Sequence, residues 1–188
     1  MMSSNRQRLL QLLTEKSYQE REVTLASGKT SNFYVDCKQT TLSAEGQLLM
    51  GRLHLAEVDK YEQRTGRKVY AVGGLTLGAD PIATAISMTS ALAGRPIDAF
   101  IVRKEPKGHG TGAWLEGCNQ FPEGVEVVVV EDVATTGGSA LKAVQRVRDA
   151  GYRVNLVLGL VDRLEGGREA IEKEDLEFIS LYERSDFQ

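Results

Sequence analysis

The stretch VVVVEDVATTGGS, Val127 to Ser139, decides the fold. Its four consecutive valines show no alternation of apolar and polar positions. Such a strand is buried on both faces, as in a parallel sheet with helices on each side. Two acids, Glu131 and Asp132, follow at its carboxyl edge. Adjacent carboxylates at the tip of a buried strand are costly unless they meet a cation or hydroxyl groups. ATTGGS then opens a helix. Its backbone N–H groups, the hydroxyls of Thr135, Thr136 and Ser139, and the helix dipole make a cup the size of a phosphate. The stretch thus offers a phosphate site beside a site for a polyol or a metal, and a phosphorylated sugar presents both. A plain strand-to-helix turn with solvated acids does not require so many hydroxyls beside two carboxylates. TTGGSALK does not match the Walker loop G-x-x-x-x-G-K-[ST], and the turn lacks G-x-G-x-x-G.

Outward from this stretch, element types alternate. Ser4 is placed to cap a first helix with Leu9, Leu10, Leu12 and Leu13 on its apolar face. REVTLASGKTSNFYVDCKQ reads as a hairpin around a Ser-Gly turn. A long helix spans about Ser43 to Arg64. KVYAVGG is a strand, Ala79 to Ala93 a small-residue helix, PIDAFIVRK a strand and VEVVVVED another. Gly138 to Ala150 is a helix closed by Gly151. RVNLVLGLVDR is a strand, Glu165 to Lys173 a short helix and LEFISLY a last strand. This pattern predicts an α/β fold with a parallel sheet covered on both faces. Ligands then bind at the carboxyl ends of the strands.

Composition sets bounds. The 188 residues suit one domain, with 41% hydrophobic and 26% charged residues. A net charge of -3 gives no sign of nucleic acid or of a membrane surface as partner. Cys37 and Cys118 are distant and lack CxxC spacing, which disfavours a disulfide framework or a zinc site. The N-terminus MMSSNRQRLLQLL has no signal-peptide core, and no apolar run reaches spanning length, so a cytoplasmic protein is expected.

A second motif is FIVRKEPKGHGTGAWLEG. Arg103, Lys104, Lys107 and His109 crowd seven residues, among Gly108, Gly110 and Gly112. Such a cluster wants a polyanion, and glycines let a segment open and close. VGGLTLGADP ends a strand in Gly73-Gly74 and offers Thr76 and the backbone from Leu75 to Gly78 as a further anion cup. Asp80 there is equally suited to capping the helix. Arg163 follows a strand in LVDRLEGG, and arginine suits a carboxylate. A surface ion pair with Asp162 or Glu165 is the other reading. Phe33 and Tyr34 in SGKTSNFYVDC read equally as packing residues of a small flap or as faces for a ring. His54 reads as a helix-face residue, Cys118 as a poor nucleophile, and Trp114 as packing the far end of the basic stretch.

VVVVEDVATTGGS resembles the PRPP-binding motif of type I phosphoribosyltransferases. RKEPKGHG resembles the catalytic loop of orotate phosphoribosyltransferases, with its RKxxKxHG pattern. The resemblance runs in order along nearly the whole chain. It implies a single domain with N-terminal hood elements over about 1–40 and a core over about 41–188. It also implies transfer of phosphoribose from PRPP to orotate, giving orotidine monophosphate and diphosphate in pyrimidine synthesis, with Mg²⁺. Under it, Glu131 and Asp132 hold the ribose hydroxyls, and Asp132 supports the metal through PRPP or water. The loop Val133, Ala134, Thr135, Thr136, Gly137, Gly138 and Ser139 holds the 5-phosphate. Thr76, Lys29, Arg103, Lys104, Lys107 and His109 meet PRPP and its leaving group. Phe33, Tyr34, Thr135 and Arg163 meet orotate. The resemblance further implies a homodimer in which Arg103, Lys107 and His109 serve the partner's site while Lys104 serves its own. Ala26 and Leu77 stand where relatives often carry lysine. A phosphoribosyltransferase for another base, or a nucleotide-sensing regulator on the same fold, are the competing readings.

Overall fold

The structure, a computed structural model, describes residues 2–24, 30–106 and 113–187, with residues 2, 3, 21–24 and 30–32 described by backbone alone. Lys29, Lys107 and His109, together with Ala26, lie outside the described residues.

Helix α1 (Met2–Lys16) leads into an antiparallel hairpin, β1 (Tyr18–Thr24) and β2 (Thr30–Val35). The helix begins before Ser4, so Ser4 lies in its first turn and is not its cap. A short helix that periodicity does not reveal, α2 (Lys38–Thr41), joins the hairpin to α3 (Ala44–Thr65). Four residues are too few to set a hydrophobic period. The start of α3 follows the sequence: Ser43 accepts the Gly46 N–H at 3.2 Å. Its end is a left-handed Gly66, φ 71°, whose N–H reaches Glu62 O.

The rest alternates as expected: β3 (Val69–Leu75), α4 (Ala79–Leu92), β4 (Asp98–Val102), β5 (Leu115–Glu116), β6 (Glu126–Ala134), α5 (Gly138–Asp149), β7 (Arg153–Asp162), α6 (Gly167–Glu172), β8 (Glu177–Glu183) and a closing 3-10 turn at Arg184–Phe187. The sheet order is β5-β4-β3-β6-β7-β8. All pairs are parallel except the two-residue edge strand β5, which runs antiparallel to β4.

The valine run occupies the middle of this sheet, as its composition requires. Val128 and Val130 pack with Leu53, Val58, Ile82 and Ile86 under α3 and α4. Val127 and Val129 pack on the other face with Ala143, Val147 and Phe178. Each valine is at most 1% exposed. Alternate side chains of a strand leave on opposite faces, so a strand with a core on each side is apolar at every position. Burying each such side chain is worth roughly 1.5–3 kcal/mol.

Strand β3 neighbours β4 on one side and β6 on the other, and the chain's direction of winding changes there. Crevices at such switch points, beyond the carboxyl ends of the strands, are where α/β sheets hold ligands.

Candidate active site

Two adjoining hollows lie at the carboxyl ends of β3 and β6. The smaller, about 60 Å³, is lined by the turn between β6 and α5, from Val133 to Ser139, with Glu131. Gly137 has φ 78° and stands at the cap position of α5. A side chain there would be strained and would also press on Gly167 O, 3.0 Å from an added Cβ. The turn therefore keeps its amides open to an anion at the helix start. The larger hollow, about 310 Å³, is lined by Lys38, Thr76, Leu77, Gly78, Lys104, Asp132 and neighbours. Glu131 and Ser139 border both, so they form one continuous groove.

Strand β6 runs on through both acids to Ala134, because β7 continues the ladder as far as Asp162. Glu131 and Asp132 are thus fixed by sheet hydrogen bonding, and the strand ends four residues beyond the valine run. Glu131 is buried, 7% exposed. Burial first, and then the neighbouring charge and hydrogen bond of Asp132, push its pKa up to about 9. Asp132 accepts the Val133 N–H at 2.9 Å. Its backbone carbonyl lies 3.8 Å from the Cys37 Sγ, which ties the segment after the hairpin to the acid strand. Cys37 is fully buried and its thiol pKa is raised, so it acts here as packing.

Thr76 donates to Asp80 Oδ2 at 2.5 Å. Asp80 lies in the first turn of α4 and is not its cap; Gly78 holds that position. Leu77 is 66% exposed at the tip of the turn.

Lys104 lines the groove. Arg103, its neighbour, is instead paired with Glu116 at 3.0 Å and donates to Glu105 O. Arg146 braces this stretch by donating to the carbonyls of Arg103 and Lys104. Its guanidinium stacks on Trp114, 3.9 Å from the ring centre, so Trp114 does pack the far end of the basic stretch.

Arg163 is buried at the end of β7. It donates to Phe33 O at 3.1 Å and pairs with Glu165 at 2.9 Å. Asp162 pairs with Arg168 at 3.2 Å. Phe33 sits in an aromatic cluster with Tyr18 and Phe187, with ring centres 5.1 and 5.5 Å away, while Tyr34 beside it is half-buried. His54 is buried in α3 against Met50 O, and its pKa is lowered to about 4 by burial, which suits a neutral packing residue.

A larger groove of about 610 Å³ lies at the opposite, amino-terminal end of the strands, beside Arg67, Lys68 and Glu126. Its Glu126 is already bound by Tyr61 and Asn155. Size does not outweigh the switch-point position and the acid-hydroxyl constellation of the other groove.

The chain has relatives among known proteins. None of the protein-family models compared matches it. An orotate phosphoribosyltransferase of Nostoc sp. is 49% identical over 187 residues, covering 100% of this chain and 87% of that one. The chain belongs to the orotate phosphoribosyltransferase family.

Among solved structures, the Mycobacterium tuberculosis orotate phosphoribosyltransferase in complex with Fe(III) dicitrate aligns with a TM-score of 0.80 at 43% identity, covering 97% of this chain and 98% of that one. The same enzyme in complex with PRPP aligns with a TM-score of 0.76 at 37% identity, covering 98% and 92%. The type I phosphoribosyltransferase core with its N-terminal hairpin is therefore the fold of this chain. Its activity is that of an orotate phosphoribosyltransferase, a glycosyltransferase converting orotate and PRPP to orotidine 5'-monophosphate. Of the residues the sequence points to, the groove gathers Thr76, Lys104, Glu131, Asp132 and the turn from Val133 to Ser139. Arg163, Phe33 and Tyr34 form a second group at the hairpin. Lys38 also lines the groove. A single lysine after a hairpin carries no local signal that separates it from a surface charge.

Proposed function

We propose that this groove carries the transfer reaction, with its roles divided among the residues just described. The bond from the anomeric carbon of PRPP to diphosphate breaks, and a bond from that carbon to the orotate ring nitrogen forms. Such a reaction needs the two substrates held in line and the departing negative charge stabilised. The turn from Val133 to Ser139 holds the 5-phosphate on its amides and hydroxyls. Glu131 and Asp132 accept from the ribose hydroxyls. Thr76, the backbone through Gly78, and Lys104 meet the diphosphate. Arg163 meets the orotate carboxylate and Tyr34 its ring. Phe33 contributes through the carbonyl that orients Arg163. Lys29, Lys107 and His109 complete the cationic set. The 188 residues act as one domain, the hairpin forming a hood over the core.

The groove fits Mg²⁺ held mainly by substrate. Its donors are carboxylate oxygens, which suit a hard cation. Among the described residues no group of three or more His, Cys, Asp or Glu is placed to hold a metal by itself. Asp132 would support the ion through PRPP or water. Bound there, magnesium would draw negative charge from the leaving diphosphate.

A homodimer with shared sites agrees with two observations. Arg103 is turned to Glu116 and away from the groove that Lys104 lines. Met88 and Leu92 on α4 are 52% and 82% exposed, an apolar edge suited to a second copy. A cytoplasmic location agrees with two buried free cysteines. No described helix is long and apolar enough to cross a membrane.

The observation that carries the reading is the continuous groove joining the hydroxyl-rich turn, the paired acids and Lys104. The test is magnesium-dependent consumption of orotate with PRPP, run beside adenine, guanine, hypoxanthine and uracil. Turnover of orotate alone supports it; turnover of another base in its place overturns it.

A further inference from the structure

The groove that would receive diphosphate has few cations of its own. Its floor carries Glu131 and Asp132, and the turn Leu75–Gly78 has no basic side chain. The Thr76 hydroxyl is already donated to Asp80. Among the described lining residues the basic side chains are Lys104, two residues past β4, and Lys38, at the start of α2. A polyanion seated beside Asp132 needs positive charge from more than one residue.

Lys38 is built to supply it. It opens α2 directly after the hairpin, and the neighbouring Cys37 packs on the Asp132 carbonyl. Its ammonium is 2.7 Å from Asp36 Oδ1. Asp36 is itself held: it accepts the Lys38 backbone N–H and the Gln39 side-chain amide, and its own N–H donates to Ser17 O. Burial works against the Asp36 carboxylate, but the hydrogen bonds from Lys38 and Gln39 outweigh it and keep its pKa below the usual value. An ammonium has three donors, and Asp36 takes one. The side chain is 45% exposed on the groove side of this post. An ordinary surface pair of this kind contributes little to stability. Its position in the lining of the groove, together with Asp132, is what a surface pair does not explain.

We propose that Lys38 is a diphosphate-binding residue, an ammonium held by Asp36 in the lining of the groove and meeting the leaving group of PRPP together with Lys104. The inference rests on the phosphoribosyltransferase reading above. It assigns Lys38 to the leaving group and not to orotate or to the 5-phosphate.

The test is calorimetric titration of diphosphate, with magnesium, into the parent protein, Lys38→Ala, Lys38→Arg and the remote exposed control Lys173→Ala, with steady-state rates measured alongside. Lys38→Ala is expected to weaken diphosphate about tenfold and to raise the PRPP KM by a similar factor. The orotate KM should stay within about twofold. Lys38→Arg should recover most of the loss, and Lys173→Ala should match the parent. Diphosphate affinity unchanged in Lys38→Ala overturns the proposal. So does an equal loss in the Ala and Arg variants accompanied by a lowered Tm, which is the mark of a structural role. A parent protein that does not consume orotate with PRPP sinks the functional reading and this inference with it. An active parent whose Lys38→Ala variant binds diphosphate normally sinks this inference alone.

Discussion

The carboxylate of Asp132 rests directly on the α-carbon of Gly78. A Cβ at that glycine would stand 2.5 Å from Asp132 Oδ1 and 2.6 Å from its Cγ. The end of β6 and the turn after β3 thus meet with no room for a methyl group. Gly78 has φ -65° and ψ -41°, an ordinary helical conformation open to any residue. It is therefore glycine for the sake of its neighbour's side chain.

Gly78→Ala should accordingly leave the fold intact and displace Asp132. A shift of a few tenths of an ångström to 1 Å in a positioning group costs roughly tenfold to a hundredfold in rate. The measurement is kcat/KM for PRPP together with Tm. A normal rate would show that Asp132 tolerates displacement; a large fall in Tm would show that the contact serves stability instead.

Glu131 should make stability depend on pH. Its pKa is raised from 4.5 to about 9 by burial and by the adjacent Asp132. The folded chain holds this proton where the unfolded chain has released it. The stability contributed by the bound proton is fully present below about 4.5 and is lost as pH rises to about 9. Glu131→Gln removes this dependence. The Tm difference, variant minus parent, should grow between pH 5 and pH 8.5 by about 3 °C or more. PRPP use should fall in the same variant. A difference independent of pH would mean that Glu131 is ionised in the folded protein.

Arg163→Ala should raise the orotate KM about tenfold or more while changing the PRPP KM little. Lys at this position should not restore it, because an ammonium lacks the planar fork that holds a carboxylate. Tm should also fall, since the Phe33 carbonyl loses the Nη2 donor seen at 3.1 Å. Initial rates with each substrate varied decide the matter, and equal rises in both KM values would count against a role toward orotate.

Subunit mixing tests the shared site. Lys107→Ala and Asp132→Asn should each be nearly inactive alone. If Lys107 serves the partner's site, a heterodimer of the two has one site with both lesions and one with neither. Activity should return to about half that of the parent per heterodimer. If Lys107 serves its own subunit, each site keeps one lesion and mixing restores nothing. Subunit exchange is verified separately by mass spectrometry of differently labelled chains.

Much of the scaffold was legible because its signals are local. The helix expected over about Ser43 to Arg64 is α3, Ala44–Thr65. Most strand and helix positions follow from runs of apolar residues. The exceptions have physical reasons. The helix α2 and the strand β5 have four and two residues, too short for any period. Ser4 lies in the first turn of α1 because the helix runs on to Met2 before it.

The sequence by itself determined the central strand, the acid pair after it and the hydroxyl-rich turn, because strand burial, turn geometry and helix start are decided by neighbours a few residues apart. It also marked Arg163 as a carboxylate-binding candidate. Only the tertiary structure decided what these groups face. Arg163 reaches the Phe33 carbonyl across 130 residues of chain. Gly78 closes on Asp132, and Lys38 enters the wall of the same groove. Arg103 turns to Glu116 while Lys104 stays in the groove. The reason is the sheet order: placing β3 beside β6 brings together segments more than fifty residues apart, and no local pattern records which side chains then meet.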